Sequence, residues 1–590
     1  MLQLRFFALT AVLLVTMAGL EVASMEQESP TVDEPYHLLA GYELLKAGRI
    51  PAYQQHPPLA EVVAALPLLP MNLRLPVVGD ATNEDRKRQE FEFLYQNVRP
   101  AEEILRAGRM TCIVLTCVLG LLMACWTRRQ FGDLAALASL TLFVFDPNFL
   151  AHGHYTTSDV PIALAFLGVC LVWNWYLGRP STARAALAGL FFGAAFGTKY
   201  NAIALIPALV ALYQVHWWQQ DPKARLALRR SLLRLGGALA VMAVVGFAFL
   251  FVLFGCRVGG LLPPDPATGR HATLSELLRE HPSSGGALRK LLEHPGAASA
   301  IDTAVDAIPL PAPAMFQELY YMSKRAADGH TGYLLGEVSQ NGWWYYFPVV
   351  LAVKTPIGEL LLLVLVLFAA VGSLRGCSRT GINLRSLAGR LRGLDFRYYL
   401  LAIPPLVYFA ICLRSRIDIG VRHILLIYPF LLVLASAVLL ATGNRAQRLL
   451  RIAAVSCIVL TIAESAKAYP ASISFFNFAC GGPRRGSDYL VDSNLDWGQD
   501  VKRLGAFVAR HGQRPVCMAV LGDAPPEYYG MRRSPFPETV AQARDTGCLV
   551  VVSLTTLKES NLDGRFNWLR LMPPPTLVGT SLLVYDPLAH

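Results

Sequence analysis

Eleven apolar runs dominate this sequence, and a lipid bilayer is the environment that accommodates them. A helix that crosses hydrocarbon needs about 20 mostly apolar residues, somewhat fewer where its flanks are also apolar. The cores of the runs are Phe7–Leu20, Met110–Trp126, Leu134–Phe145, Val160–Leu177, Ala185–Phe196, Ala202–Trp218, Leu235–Phe254, Phe347–Val371, Tyr398–Leu413, Ile424–Ala441 and Ile452–Ala463. Charged residues make up 16% of the chain and hydrophobic residues 54%, whereas soluble domains carry about 25% charged residues. That balance excludes a disordered, collagen-like or coiled-coil chain. It predicts a mostly α, polytopic membrane protein of about 11 transmembrane helices with some water-exposed mass. The first run has a second reading as a cleaved signal peptide, because Val22-Ala23-Ser24 resembles a small-residue cleavage site.

Basic residues orient the spans. With the N-terminus inside, the short inner loops hold 19 Lys and Arg residues, while the short outer loops hold four: Lys199, Arg414, Arg416 and Arg422. This obeys the positive-inside rule. Most of the net charge of +11 therefore belongs to the inner leaflet, and no nucleic-acid partner is needed to explain it. No GxxxxGK[ST] motif argues for nucleotide hydrolysis. Three long segments face outward: roughly 21–108, 256–346 and a tail, 467–590. The first contains Leu59–Leu69, too short to span, which predicts an interfacial helix. The tail has short β-rich runs, Val516–Leu521, Cys548–Leu554 and Leu582–Tyr585, and reads as a small α/β domain. Cys517 and Cys548 lie in two of these runs and could pair, although Cys256 and Cys480 are also available outside.

Ionisable residues that break the topology trend are the candidates for chemistry. Asp33 and Glu34 follow the first run directly, and acids at a membrane exit are either solvated or functional. A helix starting at Pro35 would bring His37 one turn beyond Asp33, a carboxylate and an imidazole suited to general-base work. Asp159 follows a short outer loop that also contains His152 and His154. On an extended chain those two histidines would point the same way and, with Asp159, could ligate a divalent metal; alternatively Ser158 or Asp159 simply caps the next helix. Lys354 sits inside the eighth run, where an amine needs an anionic partner or a polar cavity. Arg414, Arg416, Arg422 and His423 crowd one outer loop, either pairing with Asp418 or forming a phosphate site. The run Asp492–Asp500 begins like a calcium loop, but its glycine falls one place late and Arg503 stands where a glutamate is required, so that reading fails.

Several motifs in order along the chain resemble a known family. They are Asp33-Glu34-Pro35, His56-Pro57-Pro58-Leu59, Thr157-Ser158-Asp159-Val160-Pro161, Gly197-Thr198-Lys199-Tyr200, Val353-Lys354-Thr355-Pro356, Ile419-Gly420-Val421-Arg422-His423 and Tyr489 to Asp500. Together they resemble the bacterial branch of glycosyltransferase family 39, similar to protein O-mannosyltransferases and the lipid A aminoarabinose transferase, all of the GT-C fold. The resemblance implies residues 1–466 as a GT-C transmembrane catalytic domain. It also implies transfer of a sugar from a polyprenyl-phosphate-linked donor to a protein or lipid/glycan hydroxyl, outside the bacterial plasma (inner) membrane. Asp33 would be the general base, Glu34 its support and Asp159 an orienting acid. His56, Lys199, Lys354, Arg414, Arg416, Arg422 and His423 are the candidates for binding substrate or the carrier phosphate. No cofactor is required by the pattern; a divalent metal is the one candidate. The competing non-enzyme reading, a transporter or lipid flippase, would place its charges near the midplane and show repeated halves; here the acids cluster at outer ends and no halves are apparent, and only Lys354 favours it.

Overall fold

The computed structural model describes residues 2–50, 56–77, 83–220, 228–259, 294–307, 309–375, 384–440, 445–559 and 564–589. Residues 260–293 of the outer segment 256–346 lie outside them. Each of the eleven apolar runs falls on helix. Among the described residues five helices are long and apolar enough to cross a membrane: Gln3–Met25, Ala101–Phe131, Asp159–Gly178, Leu228–Leu253 and Arg445–Ala468. Asp133–Val144, Thr182–Phe196, Phe396–Cys412 and Leu425–Leu440 are shorter apolar helices, and Leu205–Gln219 has 15 residues.

The eighth run departs from the expected straight span. Helices Tyr346–Lys354 and Ile357–Ala369 meet at 111°. Pro356 causes the break, since it lacks an N–H and pushes the residue before it out of helical geometry; Thr355 is extended, at φ −88° and ψ 133°. The backbone groups freed by the break are satisfied elsewhere. The Glu464 carboxylate accepts from Ile357 N at 2.7 Å, and Asn477 Nδ2 donates to the Ala352 and Thr355 carbonyls at 2.6 and 3.0 Å. Lys354 thus ends a short helix rather than lying in mid-span.

Small residues let the helices approach closely. A Cβ on Gly193 would lie 2.8 Å from the Gly246 carbonyl oxygen, and one on Gly189 would lie 2.7 Å from that of Met242. Helices Thr182–Phe196 and Leu228–Leu253 therefore pack backbone to backbone, as membrane helices with small interfacial residues do. Outside the bundle, helix Glu34–Ala47 crosses Leu59–Ala65 at Gly41, whose position leaves no room for a Cβ against the Glu61 carbonyl. The predicted Leu59–Leu69 element is this second helix continued by a 3₁₀ turn to Met71.

Near the C-terminus lies a four-stranded mixed sheet. Val516–Ala519 pairs in parallel with Leu549–Ser553, which pairs antiparallel with Leu582–Tyr585. Thr576–Val578 completes the far edge. Three strands match the predicted runs; the fourth, three residues following Pro573-Pro574-Pro575, carries too little pattern to be read. Val501, Leu504 and Val508 of the amphipathic helix Val501–Arg510 pack on Val516, Val551 and Val584 of the sheet. A Cys517–Cys548 disulfide joins the two parallel strands' ends.

Candidate active site

Two acids far apart in sequence meet on one guanidinium. Asp33 is the residue at which helix Glu34–Ala47 begins, a start set by Pro35 in its first turn. Asp159 opens helix Asp159–Gly178. Arg422 lies in the short 3₁₀ turn Val421–His423. Its Nη1 is 2.8 Å from Asp33 Oδ2 and 3.9 Å from Asp159 Oδ2. Arg422 is itself held from two sides: Nε donates to Ser493 Oγ at 3.1 Å, and the Trp497 ring lies 4.2 Å from its guanidinium carbon. Val421 N donates to Asn494 Oδ1 at 2.9 Å, fixing the turn.

The two acids are differently placed. The Asp33 side chain is 26% exposed, whereas Asp159 is 1% exposed. Asp159 Oδ1 accepts from Lys199 Nζ at 2.6 Å, and its Oδ2 has no hydrogen-bond partner among the described residues. Lys199 therefore secures the second acid. Burial pushes the Asp33 pKa up, but the Arg422 guanidinium, with His37 and His56 adding, holds it below the usual aspartate value. Burial lowers His56 well below the ordinary histidine range, with His37 and Lys199 acting in the same direction.

Asp33 and Arg422 open onto a cavity of about 560 Å³, lined also by Tyr36, His37, His56, Arg86, Lys87, Arg325, His330, Asp492, Trp497 and Glu559. The His37 ring makes no hydrogen bond to Asp33: it stacks on His56 at 5.2 Å and contacts Glu61 Oε1 at 3.3 Å. Glu559 on the cavity wall is pushed up to about 9 by burial and by repulsion from Asp492 and Asp496. A buried cation beside a half-open carboxylate, in a cavity of this size, can neutralise a phosphate while the carboxylate takes a proton from a hydroxyl.

Several predicted site residues lie elsewhere. Glu34 is fully buried, with Oε1 and Oε2 bonded to Arg109 at 2.8 and 2.7 Å and accepting Thr156 N and Thr31 N at 3.0 and 2.8 Å. It locks the loop that presents Asp33 and has no face on the cavity. Lys354 is 1% exposed; its ammonium donates to the Ile473 and Asn494 carbonyls at 2.8 and 2.7 Å and sits over the Phe476 ring. It braces the loop that holds Arg422 instead of facing a carrier phosphate. Arg414 and Arg416 are exposed and do not line the cavity; Arg416 donates to the Ala327 carbonyl. His423 stacks on Phe347 and is also off the cavity lining. The alternative pairing with Asp418 is not seen either among the described residues; Asp418 Oδ2 accepts Trp343 N.

The metal arrangement is not formed. Residues Pro147–His152 are helical, not extended, with Asp146 capping their first turn. His154 spends its two ring nitrogens on Glu28 Oε2 and the Leu150 carbonyl, both at 3.0 Å. Among the described residues no group of three or more His, Cys, Asp or Glu side chains could hold a metal ion.

Sequence reasoning missed Arg109, Ser493 and Trp497 as parts of this centre. Arg109 offered a signal, a lone arginine at the start of an apolar run; the roles of Ser493 and Trp497 depend on contacts about 70 residues or more away in the chain.

Residues 102–250, which include Asp159 and Lys199, match the family model described as dolichyl-phosphate-mannose-protein mannosyltransferase. Similar solved structures include ArnT from Cupriavidus metallidurans bound to undecaprenyl phosphate, at 14% identity over 99% of this chain and 98% of that one, with a TM-score of 0.41. Another is the oligosaccharyltransferase AglB from Archaeoglobus fulgidus in complex with an inhibitory peptide and a dolichol phosphate, at 12% identity, 96% and 71% coverage and a TM-score of 0.43. At such scores these likenesses carry no conclusion by themselves. Comparison with curated protein sequences gives no match. Over residues 102–250 the chain matches a glycosyltransferase family, and that match falls on the membrane helices that carry the second acid and agrees with the motif resemblance.

Proposed function

We propose that this enzyme transfers a sugar from a polyprenyl-phosphate carrier to a hydroxyl of a protein or lipid/glycan acceptor, in the cavity onto which Asp33 and Arg422 open. The observation that carries this reading is the single guanidinium nitrogen of Arg422 in reach of both Asp33 and Asp159. An entering phosphate competes with Asp33 for Arg422, and that exchange releases the carboxylate to act as a base. The acceptor oxygen then bonds to the anomeric carbon, its proton passes to Asp33, and the carbon–oxygen bond to the phosphate breaks with the electron pair staying on the phosphate. Arg422 offsets the charge that grows there. Asp159, fixed by Lys199, keeps Arg422 in place once Asp33 lets go.

The same reading places the cavity outside the bacterial plasma membrane, with eleven crossings of the chain and residues 467–590 as an extracytoplasmic α/β domain. The sugar and acceptor are identified by incubating the purified protein with a panel of polyprenyl-phospho-sugars and membrane extract, then reading products by mass spectrometry. A mannosyl-type product is expected by the family match; no sugar transfer from any polyprenyl-phosphate donor would overturn the proposal.

A further inference from the structure

A second cavity lies at the other end of the bundle. Helix Asp159–Gly178 starts at the acid pair and runs 20 residues, about 30 Å at 1.5 Å per residue, which is one hydrocarbon thickness. At its far end Tyr176 and Leu177 line a cavity of about 400 Å³ with Tyr213, Trp217, Arg230 and Arg234. This places the cavity at the headgroup level of the opposite leaflet.

The chemistry of the lining is of two kinds. Tyr176, Tyr213 and Trp217 are aromatic residues with polar tips, the type enriched where helices leave hydrocarbon. Arg230 and Arg234 are exposed, and among the described residues neither has an acidic partner within ion-pair distance. Trp217 Nε1 is buried without a hydrogen-bond partner among the described residues, so a donor is aimed where an acceptor is lacking. The walls are fixed: Tyr213 OH donates to the Ser231 carbonyl at 2.9 Å, and Gln219 Nε2 donates to the Leu394 carbonyl at 2.6 Å. Arg392 also donates to the Gln220 carbonyl, tying the basic helix Leu384–Gly393 to the rim.

We infer that this cavity binds the phosphate of an anionic phospholipid headgroup in the leaflet opposite the acid pair. The two guanidinium groups and the indole N–H supply donors to the phosphate, and the rings face the glycerol and upper acyl region. Basic cavities between membrane helices commonly take such headgroups. The site is independent of the sugar-transfer reading, since none of its residues touches the Asp33 cavity.

The test is native mass spectrometry of the full-length protein with added phosphatidylglycerol or phosphatidylcholine. Retained phosphatidylglycerol adducts should exceed phosphatidylcholine adducts. Each arginine near the membrane surface is worth about fivefold in anionic lipid affinity, so R230Q/R234Q should weaken phosphatidylglycerol retention by about 25-fold. Arg445→Gln, which removes an exposed arginine outside the cavity, should leave retention within twofold. The single variants R230Q and R234Q, checked by size exclusion, cover a misfolded double variant. Equal retention of both lipids, or undiminished retention by the arginine variants, would overturn the inference. So would full displacement of phosphatidylglycerol by equimolar inorganic phosphate, which marks a free-anion site.

Discussion

Replacing Asp33 with asparagine separates a base from a counterion. The substitution keeps the side chain's size, and the site is 26% exposed, so little packing is at stake. What is lost is the ability to take a proton, worth roughly 10²–10⁴ in rate for a general base, or about 2.7–5.4 kcal/mol at 1.36 kcal/mol per tenfold. The geometry adds a second expectation. Arg422 keeps Ser493 Oγ at 3.1 Å and Asp159 at 3.9 Å, and without the Asp33 charge it is freer to meet a donor phosphate. Turnover in the Asp33→Asn enzyme should therefore fall by at least 100-fold, while KM for the lipid-linked donor stays level or decreases. The assay is initial-rate transfer at varied donor concentration, with folded protein quantified by size exclusion. If Asp33 were only a structural partner of Arg422, KM would rise and the folded fraction would drop with turnover nearly intact. Transfer within tenfold of the parent enzyme would refute the base assignment.

Glu34→Gln should act through folding, because it leaves Arg109 buried without its anion; breaking such a pair costs about 3–5 kcal/mol, read as a lowered midpoint in thermal aggregation. Removing Arg422 should move the acid limb of the pH profile. Asp33 now sits below the usual aspartate value, so its carboxylate persists until pH falls through that depressed value. In Arg422→Gln burial prevails and raises the group, and residual kcat/KM should begin to fall at a higher pH than in the parent. An unmoved limb would show that another group controls it. Cys517→Ser with Cys548→Ser opens a loop with a sequence separation of 31, which loop-closure entropy values at about 3.5 kcal/mol; urea should then expose the sheet region at lower concentration, measured by limited proteolysis.

What could be read in advance follows the range of each interaction. Asp33, Asp159 and Arg422 were visible because they are charged residues at the outer ends of apolar runs, a one-dimensional pattern. Glu34 looked equivalent to Asp33, its neighbour, yet helix geometry turns it onto Arg109, 75 positions away. Lys354 looked like a charge at membrane depth because hydropathy averages across Pro356 and hides the 111° bend. The outer arginines formed a cluster only in sequence: the chain through Arg414 and Arg416 stays on the surface, and the 3₁₀ turn carries Arg422 inward. His152 and His154 would point the same way only on an extended chain, but Pro147 behind a capping aspartate starts a helix that runs to His152.

The opening of the tail is woven into the site. Ser29 N donates to the Gln499 carbonyl at 3.0 Å and Val32 N to that of Trp497 at 3.1 Å, while Ser29 Oγ donates to the Gly498 carbonyl at 2.7 Å. The segment leading to Asp33 is thus templated by residues 465 to 470 positions later, and neither end of the chain can be engineered alone. A chimera that exchanges C-terminal modules between related enzymes should keep its activity only when the junction falls beyond Asp500; a junction near 467, where the membrane helices end, would import a mismatched half of the reaction centre.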